Sequence, residues 1–222
     1  AVDPSFVFVA APRDGITAID EPNFTFLPKP VDFDISFLED NDRVAVIPDG
    51  EDLLVLPIPV MNWHEIVNMN DRPALGSYTY CPLTGTSVHI NQDLSLGRLG
   101  VSGFLFNNNL IMFDRNTESL WSQMSAFGIR GPLRGTLLEQ LFVLEMNWKS
   151  VKTIASSMYV LDPGDFYGRP YDVHPYGDYD NHNGDLTFSL TYNDSRLPAK
   201  ERVLAIQLED GVVAIRPSDF LP

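Results

Sequence analysis

The sequence predicts a mainly β protein, an antiparallel sandwich-like or barrel-like domain with two or three short helices. Two observations indicate this class: the apolar runs are short and rich in β-branched and aromatic residues, and they are separated by turn-forming residues. With 222 residues, of which 44% are hydrophobic, the chain is long enough to bury one large core. We therefore expect an N-terminal strand or extension over residues 1–13 and a single β-rich domain over residues 14–222.

The first apolar run, residues 5–11, is β-prone and ends at a Pro-Arg-Asp-Gly break. It predicts an edge strand or a segment that lies across the core. The alternative is a strand donated to a neighbouring subunit, which would build a homo-oligomer or a filament. Residues 21–34, which contain three prolines and three phenylalanines, predict an extended covering loop.

Short β-rich runs continue through the rest of the chain. The clearest hairpins pair residues 44–47 with 53–56 and residues 202–208 with 212–216, each around a turn that contains Asp-Gly. The other predicted strands are residues 74–81, 86–90, 94–101, 110–114, 118–121, 133–137, 141–144 and 158–161. Alternation along residues 74–81 places Cys81 on the face of Ser77 and Thr79, and places Tyr78 and Tyr80 on the other face.

Two stretches have apolar residues at helical spacing. One begins near the prolines at positions 57 and 59 and runs for about two turns, and the other follows Asn147, which can cap a helix. The residues that set the spacing are Val60, Trp63 and Val67 in the first helix, and Trp148, Val151 and Ile154 in the second. His64 is one position away from the apolar stripe, so we expect it at the boundary between core and surface.

The charge of the chain restricts its partners. Fifteen Lys and Arg stand against thirty Asp and Glu, which gives a formal charge of −15. Because this surface repels phosphate backbones, we expect no nucleic-acid partner. No apolar run approaches the roughly 18 residues that span a bilayer, so we expect no transmembrane segment. The first residue is Ala rather than Met, which is typical of secretory processing and favours a secreted or extracytoplasmic protein.

The only cysteine, Cys81, lies at the predicted end of a strand, next to a Pro-Leu-Thr-Gly turn. With His64 it predicts a transition-metal site, completed by His89, Glu65 or Met124, because a thiolate and an imidazole suit copper or zinc. The alternative interpretation makes Cys81 a small buried apolar residue and His64 a hydrogen-bonded boundary residue.

Two other functional interpretations remain open. Cys81 could be the nucleophile of an enzyme, with His64 as its base and Glu65 or Asp114 to orient that base. The chain could instead be a structural or interaction subunit of an extracellular assembly that uses its N-terminal strand.

The acidic loop at residues 162–185 holds four tyrosines and six aspartates, with little apolar periodicity. Long irregular loops inside compact domains are often functional. Carboxylate and amide oxygens in a turn-forming stretch suit calcium, so the candidate ligands are Asp178, Asp180, Asn183 and Asp185. The alternative is a loop that only contacts solvent.

Five stretches together resemble one known family. They are residues 62–68 (Asn-Trp-His-Glu-Ile-Val-Asn), 79–85 (Thr-Tyr-Cys-Pro-Leu-Thr-Gly), 100–103, 112–121 and 197–203, and they are similar to the signature stretches of domain-of-unknown-function family 3179. The resemblance implies a shared fold and a set of signature residues, but no settled activity. Members of that family commonly carry a second cysteine in the turn, where this chain has Thr84. This departure argues against a site that needs two thiols, whereas a site that needs only one sulfur is compatible with the sequence.

Overall fold

The fold was analysed in a computed structural model, which describes residues 2–69, 75–91, 96–164, 168–180 and 184–220. Within these ranges the chain forms four antiparallel or mixed sheets and two α-helices. The mainly β class predicted from the sequence is therefore confirmed, and the arrangement is consistent with a β sandwich.

The strands and helices are short and follow one another closely. In chain order they are β1 Val7–Val9, β2 Asn23–Leu27, β3 Arg43–Asp49, β4 Asp52–Pro57, α1 Ile58–His64, β5 Ile66–Met69, β6 Gly76–Cys81, β7 Thr86–Ile90, β8 Leu99–Phe106, β9 Asn109–Asp114, β10 Leu120–Ser122, β11 Phe127–Arg130, β12 Gln140–Leu141, β13 Leu144–Asn147, α2 Trp148–Ile154, β14 Met158–Asp162, β15 Leu204–Leu208 and β16 Gly211–Ile215.

The strands are arranged in three larger sheets and one hairpin. The first sheet has the order β1-β8-β9-β10-β11, the central sheet β12-β7-β6-β5, and the third sheet β13-β3-β4-β14-β2. Strands β15 and β16 form a separate two-stranded hairpin. The pairs in the three larger sheets are antiparallel except for β14, which runs parallel to β4.

The central sheet is buried on both faces. Tyr78 and Tyr80 of β6 belong to a core shared with the third sheet, whereas Cys81 belongs to a core shared with the first sheet. The alternation predicted for residues 74–81 is thus present in β6, and residue 74 itself lies outside the described ranges. A third core packs Trp148 and Val151 of α2 against the third sheet. Helix α2 begins as predicted, because the Asn147 side chain accepts a hydrogen bond from the backbone N–H of Ser150.

The first helix ends earlier than its apolar spacing predicts. It ends at His64, because Glu65 has a backbone φ of 58° and leaves the helical conformation. Val67, predicted on the helix, is on β5 instead and is buried there. His64, predicted at the boundary of the core, is only 1% exposed. The predicted length of about two turns is correct, but the positions predicted for Val67 and His64 were wrong. The chain turns directly from helix to strand, which places residues of both elements in the core.

Several other regions differ from the strand predictions. Residues 141–144, predicted as one strand, belong to the ends of two strands in different sheets, β12 and β13. The strand predicted over residues 94–101, of which 94 and 95 lie outside the described residues, begins only at Leu99. Residues 23–27, predicted as part of a loop, form β2 at the edge of the third sheet, and the neighbouring prolines at 22 and 28 lie just outside the strand. Residues 133–137, predicted as a strand, form a turn in which Leu137 makes only an isolated bridge to Phe127. The strand in this region is β11, which precedes that turn.

The N-terminal strand makes its hydrogen bonds within its own chain. Strand β1 pairs with β8 at the edge of the first sheet, and the Phe8 ring stacks on Phe188 at 4.9 Å between centroids. This is the edge strand predicted for residues 5–11, while donation to another subunit stays a prediction. In the described part of the chain, neither helix has the length and apolar character that a membrane crossing requires.

Candidate functional site

The sharp exit from α1 positions the first residue of the site. Glu65 has a positive φ, a conformation that side-chain-bearing residues rarely adopt and that is often found at functional sites. Its N–H donates to Met61 O at 2.9 Å, and its C=O accepts from Tyr80 N at 2.7 Å. These two bonds place Glu65 beside the end of β6, where Cys81 lies.

The Glu65 carboxyl group is buried, with 6% of the residue exposed. It accepts a hydrogen bond from the Tyr176 hydroxyl at 3.3 Å. Burial raises the pKa of Glu65 to about 8, and the Tyr176 hydrogen bond opposes this only in part. The side chain is therefore mostly protonated and uncharged at neutral pH.

The Cys81 thiol lies in the same buried region and is 1% exposed. It donates a hydrogen bond to the backbone oxygen of Asn108 at 3.5 Å. Burial raises the pKa of Cys81 to about 11, and the nearby Glu65 carboxyl adds to the increase, while hydrogen bonds with Thr84 and Leu110 oppose it. The sulfur is therefore a neutral thiol at physiological pH.

Tyr176 completes the cluster from the long loop. Burial raises the pKa of its phenol, and the Glu65 and Cys81 groups each raise it further by repulsion between their anionic forms. In the described part of the chain, no Lys or Arg lowers the pKa of any of these three groups. The three side chains, named below the acid cluster, are thus neighbours whose pKa values are raised mainly by burial, Cys81 and Glu65 being buried and Tyr176 half-buried.

His64 is turned to other partners. Its Nδ1 donates to the backbone oxygen of Thr17 at 2.8 Å, and its Nε2 lies 2.8 Å from the Tyr171 hydroxyl. A carbonyl oxygen only accepts, so the ring proton is on Nδ1 and Nε2 accepts from Tyr171. Burial lowers the pKa of His64, which keeps the ring neutral. A metal ion at Nε2 would have to displace Tyr171.

The other predicted copper or zinc ligands lie elsewhere. His89 is opposite Tyr78 in the pairing of β6 with β7, so it shares the face of Tyr78 and points away from the face of Cys81. Met124 is 52% exposed. Of the predicted set, the structure brings together Cys81 and Glu65. Across the residues that the structure describes, no three His, Cys, Asp or Glu side chains are grouped to hold a metal ion.

The predicted nucleophile arrangement is not assembled either. The His64 ring is hydrogen-bonded to Thr17 and Tyr171, as described above. The Asp114 carboxylate accepts hydrogen bonds from Thr117 and Ser119, and from the Trp121 indole at 3.0 Å. Because the raised pKa of Cys81 also disfavours a thiolate, the geometry gives no support to a cysteine-dependent enzyme.

A polar network surrounds Thr84, in the turn that follows Cys81. Its hydroxyl oxygen lies 2.9 Å from the Thr86 hydroxyl and accepts from Asn109 Nδ2 at 2.9 Å. Asn109 in turn donates to Gln123 Oε1 at 2.7 Å, and Gln123 Nε2 donates to Thr79 Oγ1 at 3.1 Å. This network fixes the turn after Cys81 through hydroxyl and amide groups, which is chemistry that suits threonine.

The predicted calcium ligands are partly engaged. Asp180 Oδ2 lies 3.2 Å from Arg202 Nη2 and 3.8 Å from His174 Nε2, so a cation already neutralises this carboxylate. Asp178 and Asp185 are exposed, and Asn183 lies outside the described residues. Calcium binding by this loop stays a prediction.

The sequence did not identify Tyr176 as a functional residue. The available signal was the long acidic and aromatic loop itself, since irregular loops of this length are often functional. The loop holds four tyrosines, and no local pattern marks Tyr176, whose hydrogen bond to Glu65 comes from the packing of the loop.

The comparisons with known proteins yield one match. The family described as "Protein of unknown function (DUF3179)" matches residues 13–221, nearly the whole of the chain. No curated protein and no solved structure matches the sequence. The extent of the family match confirms the resemblance carried by the five signature stretches, and the chain therefore belongs to the DUF3179 family.

Proposed function

We propose that this protein binds one soft transition-metal ion, copper or zinc, through Cys81, Glu65 and Tyr176. The observation that carries the proposal is that the Tyr176 hydroxyl donates to the buried Glu65 carboxyl at 3.3 Å and that the buried Cys81 thiol lies close enough to interact with both groups. Buried groups with strongly perturbed pKa values are concentrated at functional sites. Two of these residues belong to the ligand set predicted from the sequence, and Tyr176 replaces the two histidines and Met124.

A divalent cation would make ionisation of the acid cluster favourable. Binding would replace the protons of the thiol, the carboxyl and the phenol, and the +2 charge of the metal would offset two of the three negative charges that form. The thiolate gives the site its preference for copper or zinc over magnesium or calcium. The three donors come from β6, from the exit of α1 and from the long loop, so they converge only in the folded chain.

The enclosure of the cluster favours retention of an ion over catalysis on an organic substrate. Cys81 and Glu65 are both buried, and Tyr176 lies partly buried beside them. Closed sites of this kind are typical of bound structural or stored metals, whereas catalytic metals keep a coordination position open. The secreted or extracytoplasmic location expected from the sequence stays a prediction.

A metal titration tests the proposal directly. Purified protein, freed of metal by chelation, is titrated with Zn²⁺ or with Cu²⁺, and bound metal is measured by calorimetry and elemental analysis. We expect one equivalent to bind, and the variants Cys81→Ser, Glu65→Gln and Tyr176→Phe to weaken binding by about 10- to 100-fold or more. Met124→Leu is the matched control and should bind as the parent does. Absence of stoichiometric binding, or unchanged affinity in Cys81→Ser, would refute the proposal.

Proton release gives a second, independent prediction. Because the three ligands are protonated in the metal-free protein, binding should expel protons and tighten as the pH rises from 6 to 8. Calorimetry in buffers of different ionisation enthalpy measures the number released. We expect between one and three protons per metal in the parent and fewer in Glu65→Gln. A binding constant independent of pH would contradict the assignment of these ligands.

A further inference from the structure

The segment that carries Tyr176, residues 168–180, is fastened to the rest of the protein by side-chain contacts. The indole Nε1 of Trp63 donates to Val173 O at 3.1 Å, and Lys200 Nζ donates to Tyr179 O at 2.8 Å. In its described residues the segment contains no helix and no strand. At the start of the segment, Tyr171 is buried in the core and donates its hydroxyl to His64 Nε2 at 2.8 Å. The position of residues 172–180 over the acid cluster therefore depends on individual side-chain contacts that begin after this buried anchor.

An ion pair between Arg202 and Asp180 joins this segment to the turn after Cys81. Arg202 Nη2 lies 3.2 Å from Asp180 Oδ2. The same guanidinium lies over Gly85, where an added Cβ would come within 2.7 Å of Arg202 Nη1. Arg202 thus spans from the turn at residues 82–85 to the segment that holds Tyr176. Two of the signature stretches, residues 79–85 and 197–203, meet at this contact.

A second group faces the same carboxylate. The His174 Nδ1 accepts from the backbone N–H of Tyr176 at 3.2 Å, so in the neutral ring its proton is on Nε2. That Nε2 lies 3.8 Å from Asp180 Oδ2. Asp180 is therefore the common partner of Arg202, from the C-terminal stretch, and of His174, two residues before Tyr176. Removing the Asp180 carboxylate would release both side chains.

We propose that residues 172–180, which follow the buried Tyr171, form a lid over Cys81 and Glu65, and that the Arg202–Asp180 ion pair is the catch that keeps the lid closed. An irregular segment held by side-chain contacts opens at lower free energy than the fully buried strands β5 and β6 beneath it. Opening would lift Tyr176 away and expose the thiol. The lid would regulate access to the proposed metal site. It rests on the proposed function only for the identity of the ion that enters.

The reactivity of the thiol measures lid opening without any metal. Cys81 is the only cysteine, so the rate of its alkylation by N-ethylmaleimide in native buffer with a chelator reports access to this one site. The rate is measured by mass spectrometry at increasing low concentrations of urea. A lid gives a rate that depends weakly on urea, whereas access through global unfolding gives the steep dependence of the equilibrium unfolding transition.

Substitutions at the catch should accelerate alkylation. We expect Arg202→Gln and Asp180→Asn each to label about five-fold faster than the parent, which is the effect of losing a partly exposed ion pair. The double variant should label no faster than the faster single variant, because both changes remove the same contact. Arg196→Gln is the matched control, since it breaks the Arg196–Asp194 pair in the same C-terminal region and should leave the rate unchanged.

The proposal is overturned if both single variants label at the parent rate, if their effects multiply in the double variant, or if labelling follows global unfolding. Should Arg202→Gln fail to fold, Asp180→Asn and Trp63→Phe carry the test, the latter by removing the Val173 contact. The metal titration separates the two ideas. If the ion-pair variants label faster but the parent binds no metal, the lid is supported and the metal site is refuted. If the parent binds metal but the variants label at the parent rate, the metal site is supported and the lid is refuted.

Discussion

The two faces of the central sheet are built from different chemistry. Toward the third sheet, β6 presents the rings of Tyr78 and Tyr80 to a core of aliphatic side chains. Toward the first sheet, the same strand presents Ser77, Thr79 and Cys81. Consecutive residues of one buried strand therefore enter a mainly apolar core on one side, where only the tyrosine hydroxyls are hydrogen-bonded, and an interface on the other side that mixes apolar groups with hydrogen-bonded polar ones.

The two faces of the central sheet place different demands on the sequence. The aliphatic core needs only apolar volume, which many sequences supply. The interface with the first sheet needs specific partners, because each buried polar group without one is unfavourable by about 1–3 kcal/mol. The buried acid cluster lies at the end of this polar face, where donors and acceptors already replace hydrocarbon. We therefore expect substitutions on the two faces to differ in size and, above all, in their dependence on pH.

The largest expected effect is that of Glu65→Gln on the pH dependence of stability. Glu65 ionises near pH 4.5 when unfolded and near pH 8 when folded, so the parent loses stability as the pH rises between these values. Glutamine does not titrate. The free energy of unfolding of Glu65→Gln relative to the parent should rise across this window by at most about 5 kcal/mol. Urea denaturation at pH 4.5, 6, 7 and 8.5 measures the change.

The sign of this effect distinguishes a buried, protonated Glu65 from an ion-paired Glu65 carboxylate. A carboxylate stabilised by ion pairing would make the parent relatively more stable as the pH rises, because its folded pKa would be lowered. A difference between Glu65→Gln and the parent that is flat from pH 4.5 to 8.5 would show that Glu65 is solvated. Glu51→Gln, an exposed site in the turn between β3 and β4, is the control and should show no such trend.

Leu54→Ala tests the apolar core between the central and third sheets. Leu54 is fully buried between the central and third sheets, so removing its side chain leaves a cavity and should lower the free energy of unfolding by about 2–5 kcal/mol. The loss should be the same at pH 5 and pH 8, because no titratable group is involved. Urea denaturation is the measurement, with the exposed Leu137→Ala as control. A loss under about 1 kcal/mol would show that this core is loosely packed.

Asn68→Ala tests the polar face and should have a smaller effect. The Asn68 side chain donates to Asp20 and Leu99 O, and it accepts from Ser77 and from Leu99 N at 3.0 Å. Its removal leaves buried backbone groups of Leu99 unpaired and should be destabilising by about 2 kcal/mol. Asn91→Ala, at an exposed position, is the matched control and should change stability by less than about 0.5 kcal/mol. Equal losses in the two variants would contradict the structural role given to Asn68.

The sequence predicts the aliphatic side of this comparison better than the polar side. Continuous apolar runs around an Asp-Gly turn correctly predict β3 and β4, and alternation correctly predicts β6, because burial of these patterns decides those strands. It does not predict the end of α1, since the positive φ of Glu65 leaves no mark in an apolar pattern and is fixed by the bond from Tyr80. Elements decided by tertiary contacts, such as β2 at the sheet edge, were likewise assigned to loops.

For the site, the sequence indicated the right region and only part of the right set. Cys81 and Glu65 lie in signature stretches and are brought together. His64, the residue before Glu65, is engaged elsewhere, because both of its ring nitrogens are hydrogen-bonded to Thr17 and Tyr171. Tyr176 is about a hundred residues away in the chain, and no local pattern connects it to Glu65. Long-range contacts of this kind depend on how the loop packs, which neither spacing nor composition encodes.

X-ray absorption at the metal edge tests the central claim most directly. The protein is loaded with one equivalent of Zn²⁺ and its first coordination shell is measured. We predict one sulfur at about 2.3 Å and oxygen donors at about 2.0–2.2 Å, with no imidazole scattering, and loss of the sulfur shell in Cys81→Ser. A shell without sulfur, or one dominated by histidine nitrogen, would contradict the assignment of the metal to Cys81, Glu65 and Tyr176.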